Sequence, residues 1–203
     1  TQPPMERVVD FSLGCTDEFG DPVTRHVTLE IMGRNSNLIL TGGDGRIIDC
    51  VRRVDYEMSE QRQVLPGLYY HLPPSQNKLS PETATLEDIT ALLQHINTPT
   101  RPDGFLMDHF AGLPLLICRE LCFRYDSSLE DLNTLSLSSR YTFGAYLKAE
   151  FQKLLEGPSA PYLLLKNGTP WDYTYLPIFQ YGTLVVSQRQ ESFSALLDGF
   201  YAR

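Results

Sequence analysis

The stretch EIMGRNSNLILTGGDGRIIDCVRRV, Glu30 to Val54, decides the fold of the first part of the chain. Two apolar runs, NLILT (37–41) and RIIDCVRRV (46–54), flank GGDG at 42–45. Glycine adopts positive φ without steric cost, so this pattern predicts a β-hairpin. Just before the hairpin stand Gly33, Arg34, Asn35, Ser36 and Asn37, a cluster with more hydrogen-bonding groups than a turn needs. Asn and Gly here can supply turn geometry and side-chain caps. Equally, Arg34 offers a planar fork for phosphate, and Asn35 and Asn37 can donate and accept toward RNA or a peptide backbone. The residues by themselves leave both readings open.

Working outward, RVVDFSLGC (7–15) and RHVTLEIM (25–32) carry β-branched and aromatic runs, and the acidic link TDEFGDPV holds Gly20 and Pro22. Together with the hairpin they predict an antiparallel meander of four strands. From Gln63 to Pro81 the string QVLPGLYYHLPPSQNKLSP contains four prolines. Proline fits neither a central strand nor a helix interior, so this is an extended connector laid along the core and a domain boundary.

Helical spacing follows. In SPETATLEDITALLQHI, Thr85 and Asp88 form a variant capping box ahead of Ile89, Leu92, Leu93 and Ile96. DGFLMDHF reads as a short helix, and GLPLLICRELCFRY as another with Pro114 near its first turn. SSLEDLNTLS, with Ser127 and Glu130 as a capping box, predicts a fourth, and RYTFGAYLKAEFQKLLEG a fifth that stops at Gly157 and Pro158. APYLLLKNGTPWDYTYLPIF and GTLVVSQRQ return to strand patterns, and ESFSALLDGFYAR begins a last helix. The expected fold class is therefore α+β, divided into a β-rich part (1–78), a helical part (79–157), a returning β segment (158–190) and a terminal helix (191–203).

Hydrophobic residues make up 42% of the chain and charged residues 21%, the balance of an ordinary globular protein. No run approaches the roughly 18 apolar residues of a membrane span, and the first residues lack a signal-peptide pattern, so a cytoplasmic protein with no membrane partner is expected. A net charge of −8 argues against a broad basic face for nucleic acid. Arg34, Arg46, Arg52, Arg53 and Arg62 nonetheless concentrate positive charge in the first third. His26, His71, His95 and His109 are scattered, and no metalloprotease, phosphate-loop or nucleophile-elbow motif occurs. Glu87 and Asp88 sit at a helix start, where the macrodipole accounts for them. Cys118 and Cys122 share one helix face and read as buried free thiols. Neither a cofactor nor a metal is expected.

EIMGRNSNLILTGGDGRIIDCVRRV, continued by EQRQVLPGLYYHLPPSQNKLSP and preceded by ERVVDFSLGCTDEFGD, strongly resembles the N-terminal domain of the NFACT family, bacterial fibronectin-binding protein A-like proteins related to ribosome quality control factors. FAGLPLLICREL resembles the family's helix-hairpin-helix segment, and ESFSALLDGFYAR the entry into its coiled coil. The resemblance implies an N-terminal domain similar to formamidopyrimidine-DNA glycosylases and a helical part similar to their helix-two-turn-helix domain. It implies a piece of a longer protein that binds tRNA and the large ribosomal subunit (50S) obstructed by stalled peptidyl-tRNA, directing C-terminal alanine tailing without a chemical active site of its own. Position by position, it makes Glu6 and Arg7 the family's acid–Arg pair, with Glu where Asp is usual. Gly33, Arg34, Ser36 and Asn37 match its Gly-Arg-x-Ser-Asn signature, and Ser59 and Arg62 part of a later basic pattern in which Glu60 replaces a basic residue. Glu6, Arg7, Arg34, Ser36, Asn37 and Arg62 are thus the expected tRNA- and ribosome-binding residues. The family's older name implies a competing role, a surface adhesin for fibronectin; fold analogy implies a third, a DNA glycosylase-like protein.

Overall fold

The structure, a computed structural model, describes residues 7–74, 77–157 and 159–202. The chain divides into two compact units, Thr1–Asn77 and Lys78–Arg203.

The first unit is the four-stranded antiparallel meander that the sequence predicts, with strand order β1-β2-β3-β4 for Val8–Thr16, Pro22–Glu30, Asn37–Gly42 and Ile47–Cys50. Period-two alternation sends Asn37, Ile39 and Thr41 of β3 inward and leaves Leu38 exposed. The register carries that face across the sheet, pairing Glu30 with both Val8 and Asn37, and Thr28 with Ile39. The core is small. Ile39, Ile47 and Val64 form its centre, with Cys50, Val54 and Tyr70 packed around them. Val64 and Tyr70 come from the proline-rich connector, which Val54↔Val64 and Arg46↔Tyr69 bridges fasten to the sheet. On the opposite sheet face Phe11, Leu13 and Leu38 are exposed.

The second unit holds α1 (Leu86–Gln94), α2 (Pro102–His109), α3 (Leu115–Tyr125) and α4 (Leu137–Glu156). Beyond them lie a three-stranded antiparallel sheet and α5 (Phe193–Tyr201). Thr85 closes the predicted capping box with Asp88 in both directions. The sheet has order β6-β5-β7, from Tyr162–Lys166 (β5), Thr169–Thr174 (β6) and Val185–Arg189 (β7). Asn167 and Gly168, both at positive φ, make the β5–β6 turn that KNG predicts.

The helix expected in SSLEDLNTLS is absent. Asp126 accepts the amide and hydroxyl of Ser128, and Asp131 caps a single 3-10 turn, Leu132–Thr134. Thr100 holds that turn from outside, its amide donating to Asp131 and its carbonyl accepting from Leu132. Distant hydrogen bonds have displaced local helical ones. Ser136 then caps α4, its side chain accepting the Ser139 amide.

Phe105, Phe110, Phe143, Leu147 and Phe151 build the core of this unit with Ile89 and Leu93 of α1. A Cβ on Gly144 would lie 3.3 Å from Leu93 Cδ1, so glycine here sets how closely α1 and α4 approach. Arg140, buried on α4, donates to the carbonyls of Leu93, Ile96, Asn133 and Leu135. It supplies donors that the C-terminal end of α1 lacks by itself. Cys118 and Cys122 are buried free thiols, and burial pushes both up to about 12.

Candidate functional site

Those expected site residues that the structure describes converge on one end of the first sheet. Ile31, directly after β2, donates its amide to the carbonyl of Arg7, just before β1. From there Gly33–Asn35 form a 3-10 turn leading into β3, with Gly33 at φ 56°. The positive φ is one reason glycine opens the signature.

Ser36 and Asn37 face their own backbone. The Ser36 hydroxyl accepts the Met32 amide at 2.9 Å, closing the turn. Asn37, only 5% exposed, donates to the Arg52 carbonyl at 2.8 Å and accepts the amides of Arg52 at 2.9 Å and Leu38 at 3.0 Å. It stands in for the backbone pairing that stops where β3 begins. Arg52 returns the contact, its guanidinium donating to the carbonyl of Arg34 and to Asn35 Oδ1. Asn37→Ala is expected to cost about 2–3 kcal/mol, because it strands buried groups on both strands. Asn37→Asp, which keeps the acceptor, should cost less; urea denaturation followed by circular dichroism compares the two.

Arg34 differs from its neighbours. Its side chain is exposed, and its guanidinium makes no hydrogen bond or ion pair among the described residues. Arg7 is also exposed, and it has a partner. Glu6 lies outside the described residues.

Arg62 reaches inward to Glu30. The two make a bidentate pair at 3.1 and 2.5 Å, with side chains 15% and 2% exposed. Arg62 Nε also donates to the His71 carbonyl, and Tyr70 donates its hydroxyl to Glu30 Oε1 at 2.9 Å. Burial, reinforced by the Glu30 carboxylate, drives the Tyr70 phenol well above its ordinary range. Such a fork–fork pair fixes the connector against the end of the sheet. Ser59 accepts the Arg62 amide and holds the turn that aims it.

Between the Glu30–Arg62 pair and the Asn35–Arg52 contact lies a cleft of about 270 Å³, with Met32 and Met58 on its walls. Glu30 and Tyr70 were not foreseen as parts of this site. The signal for Glu30 is its parity: in the VTLE run of β2 it sits at the inward positions shared with Thr28.

Residues 1–203 match the family model described as NFACT N-terminal and middle domains. The chain belongs to the NFACT family. This NFACT chain is 33% identical over 199 residues to the Rqc2 homolog RqcH of Bacillus subtilis (strain 168), a match covering 97% of the chain and 32% of that protein. It is 27% identical over 197 residues to the Rqc2 homolog RqcH of Streptococcus suis (strain 05ZYH33), covering 97% and 31%. It therefore spans about a third of the length of these relatives. Among solved structures, the fibrinogen binding protein from Staphylococcus aureus superposes with a TM-score of 0.74 at 26% identity, covering all of this chain and 69% of that one. The N-terminal part of the fibronectin/fibrinogen-binding protein from Streptococcus suis gives 0.65 at 27% identity, covering 97% and 63%. The α+β fold with antiparallel sheets is thus that of NFACT N-terminal domains. No helix among the described residues is long and apolar enough to cross a membrane.

Proposed function

We propose that this NFACT chain works in ribosome quality control, contacting tRNA and the obstructed 50S subunit so that stalled nascent chains receive C-terminal alanine tails. The observation that carries this reading is the 33% identity to an RqcH protein along nearly the whole chain. Peptide transfer is left to the ribosome, and the chain's part is binding. Its α2–α3 pair, joined through Gly112 at positive φ, takes the role of the family's helix-hairpin-helix.

On this reading the candidate residues divide into two roles. Arg34 and Arg7, the latter following Glu6 in sequence, face the RNA. Ser36, Asn37 and Arg62 hold the platform on which Arg34 is displayed. The turn closed by Ser36 and Arg52 fixes the backbone that carries Arg34, so only its side chain is left to order when it meets a phosphate, which favours affinity.

Arg34→Ala is expected to weaken tRNA binding about tenfold, and to reduce the slope of log affinity against log salt by about 0.7–0.9, the signature of one lost phosphate contact. Its melting temperature should not move. Filter binding across a salt series measures both. For the function itself, the natively expressed protein is pulled down and its ribosomal particles and tRNAs are sequenced. Recovery of 50S subunits and a selected tRNA set, lost when Arg7 and Arg34 are changed to Ala, supports the reading; recovery of neither rejects it.

The names of the two solved structures favour a second reading, attachment to fibronectin or fibrinogen. Protease accessibility on intact cells, with fibronectin capture, would support that reading in place of ribosome sedimentation.

A further inference from the structure

A second cleft lies in the second unit. It encloses about 550 Å³ between the first turn of α2, the second half of α3 and the loop after it. On one wall Asp103, a nearly buried carboxylate, accepts Nε and Nη2 of Arg101 at 3.1 and 3.0 Å and Nε of Arg119 at 3.1 Å. The hydrogen bonds from Arg101, opposed by partial burial and joined by those from Arg119, hold the Asp103 carboxyl below the usual carboxylate range. One carboxylate thus fixes two guanidiniums. The terminal amino groups of Arg119 make no hydrogen bond among the described residues.

The other wall carries Asp126 and Glu130. Asp126 Oδ1 is engaged by Ser128, whereas its second oxygen accepts nothing among the described residues, and Glu130 forms no ion pair within 4.0 Å there. Phe123 also lines the cleft, exposed and without a ring partner among the described residues.

These groups exclude simple ligands. A bare anion meets more carboxylates than guanidiniums in this cleft, and a basic peptide meets the two arginines. The layout calls for a ligand with an anionic end, a hydrogen-bond-donating end and a flat body between them. Unstacked nucleotides are held in this manner, the base on an aromatic ring and its edge on polar groups. Among the bases, guanine alone presents two adjacent donors, N1–H and N2–H, to one carboxylate, as adenine and cytosine place an acceptor beside their amino group. We infer that this cleft binds a guanine nucleotide, with the phosphate on Arg119 and Arg101, the base against Phe123, and its donor edge on Asp126 or Glu130. The volume lies within the range of small-molecule sites. The same chemistry is met in a free nucleotide and in an unpaired guanosine of RNA; the RNA source rests on the ribosome quality control reading, and the free nucleotide does not.

The test titrates the 203-residue chain with 5′-GMP and 5′-AMP, and separately with the single-stranded RNAs AAGAA and AAAAA, following amide shifts and heats of binding. GMP, AAGAA or both should bind at least about tenfold more tightly than the adenine counterpart, the discrimination one bidentate edge contact provides. A guanine preference in the mononucleotides alone assigns a free nucleotide, and one in the oligonucleotides alone assigns RNA. The double change Asp126→Asn and Glu130→Gln should reduce the preference to near unity with an unchanged melting curve. Arg119→Ala should weaken guanine and adenine forms alike. Equal binding of guanine and adenine in both formats, or no saturable binding in either, overturns the inference without bearing on tRNA or ribosome recovery.

Discussion

Arg62→Met is expected to lower the stability of the N-terminal unit by about 3–5 kcal/mol, the usual consequence of leaving one member of a buried ion pair uncompensated. Glu30, 2% exposed and at the centre of the row Val8–Glu30–Asn37, would retain only the Tyr70 hydroxyl among the donors described here. The connector would also lose the Arg62–His71 bond that lays it along the sheet. The companion change is informative. Replacing both partners, Glu30→Leu with Arg62→Met, should recover most of the loss, because a buried pair exchanged for apolar groups of similar size is often neutral. Hydrogen exchange at the β2 and β3 amides measures this, since the only tryptophan, Trp171, belongs to the other unit. A single Arg62→Met that exchanges like the wild type would show that the pair contributes no net stability.

The second large effect is expected at Glu120. This carboxylate is fully buried on α3. One oxygen accepts Arg124 Nε at 2.8 Å, and the other accepts the amides of Phe179 and Gln180 at 2.9 and 3.0 Å. Arg124 in turn donates to the Pro177 carbonyl at 2.7 Å and stands over the Phe179 ring. Glu120 therefore pins the crossing between β6 and β7 to the helix. Glu120→Ala strands two backbone amides and a guanidinium together, at a cost of about 3–5 kcal/mol. Glu120→Gln keeps acceptor capacity and should lose less. Trp171 reports the change, because its ring meets Tyr181 edge-on at 5.4 Å just past the pinned segment. Its emission should shift at denaturant concentrations that leave the wild type unaltered.

Both residues mark where sequence reasoning stops. The first sheet could be read from GGDG and from alternation in NLILT, because turn geometry and period two are local properties. The partner of Glu30 could not be read that way: 32 residues separate it from Arg62, and no local pattern joins them. RYTFGAYLKAEFQKLLEG is legible as a helix, yet nothing local shows that Arg140 at its start is a buried donor to another helix. SSLEDLNTLS failed for a related reason, since Thr100 lies outside any window that could have revealed it. In the signature, composition left structural and RNA-facing roles open for every residue. What no local pattern gives is direction: Ser36 and Asn37 bond to backbone, and Arg34 is exposed.

Arg140 also orders events in time. The carbonyls of Leu93 and Ile96, at and just past the end of α1, receive its donors from 47 and 44 residues away, so local growth leaves this helix end without its side-chain cap. That cap requires α4 to be formed and docked, with Gly144 seated against Leu93. Closing so long a loop before the reward arrives slows the search. It also couples the two helices, so that during synthesis the α1 end lacks the Arg140 cap until the ribosome has delivered α4.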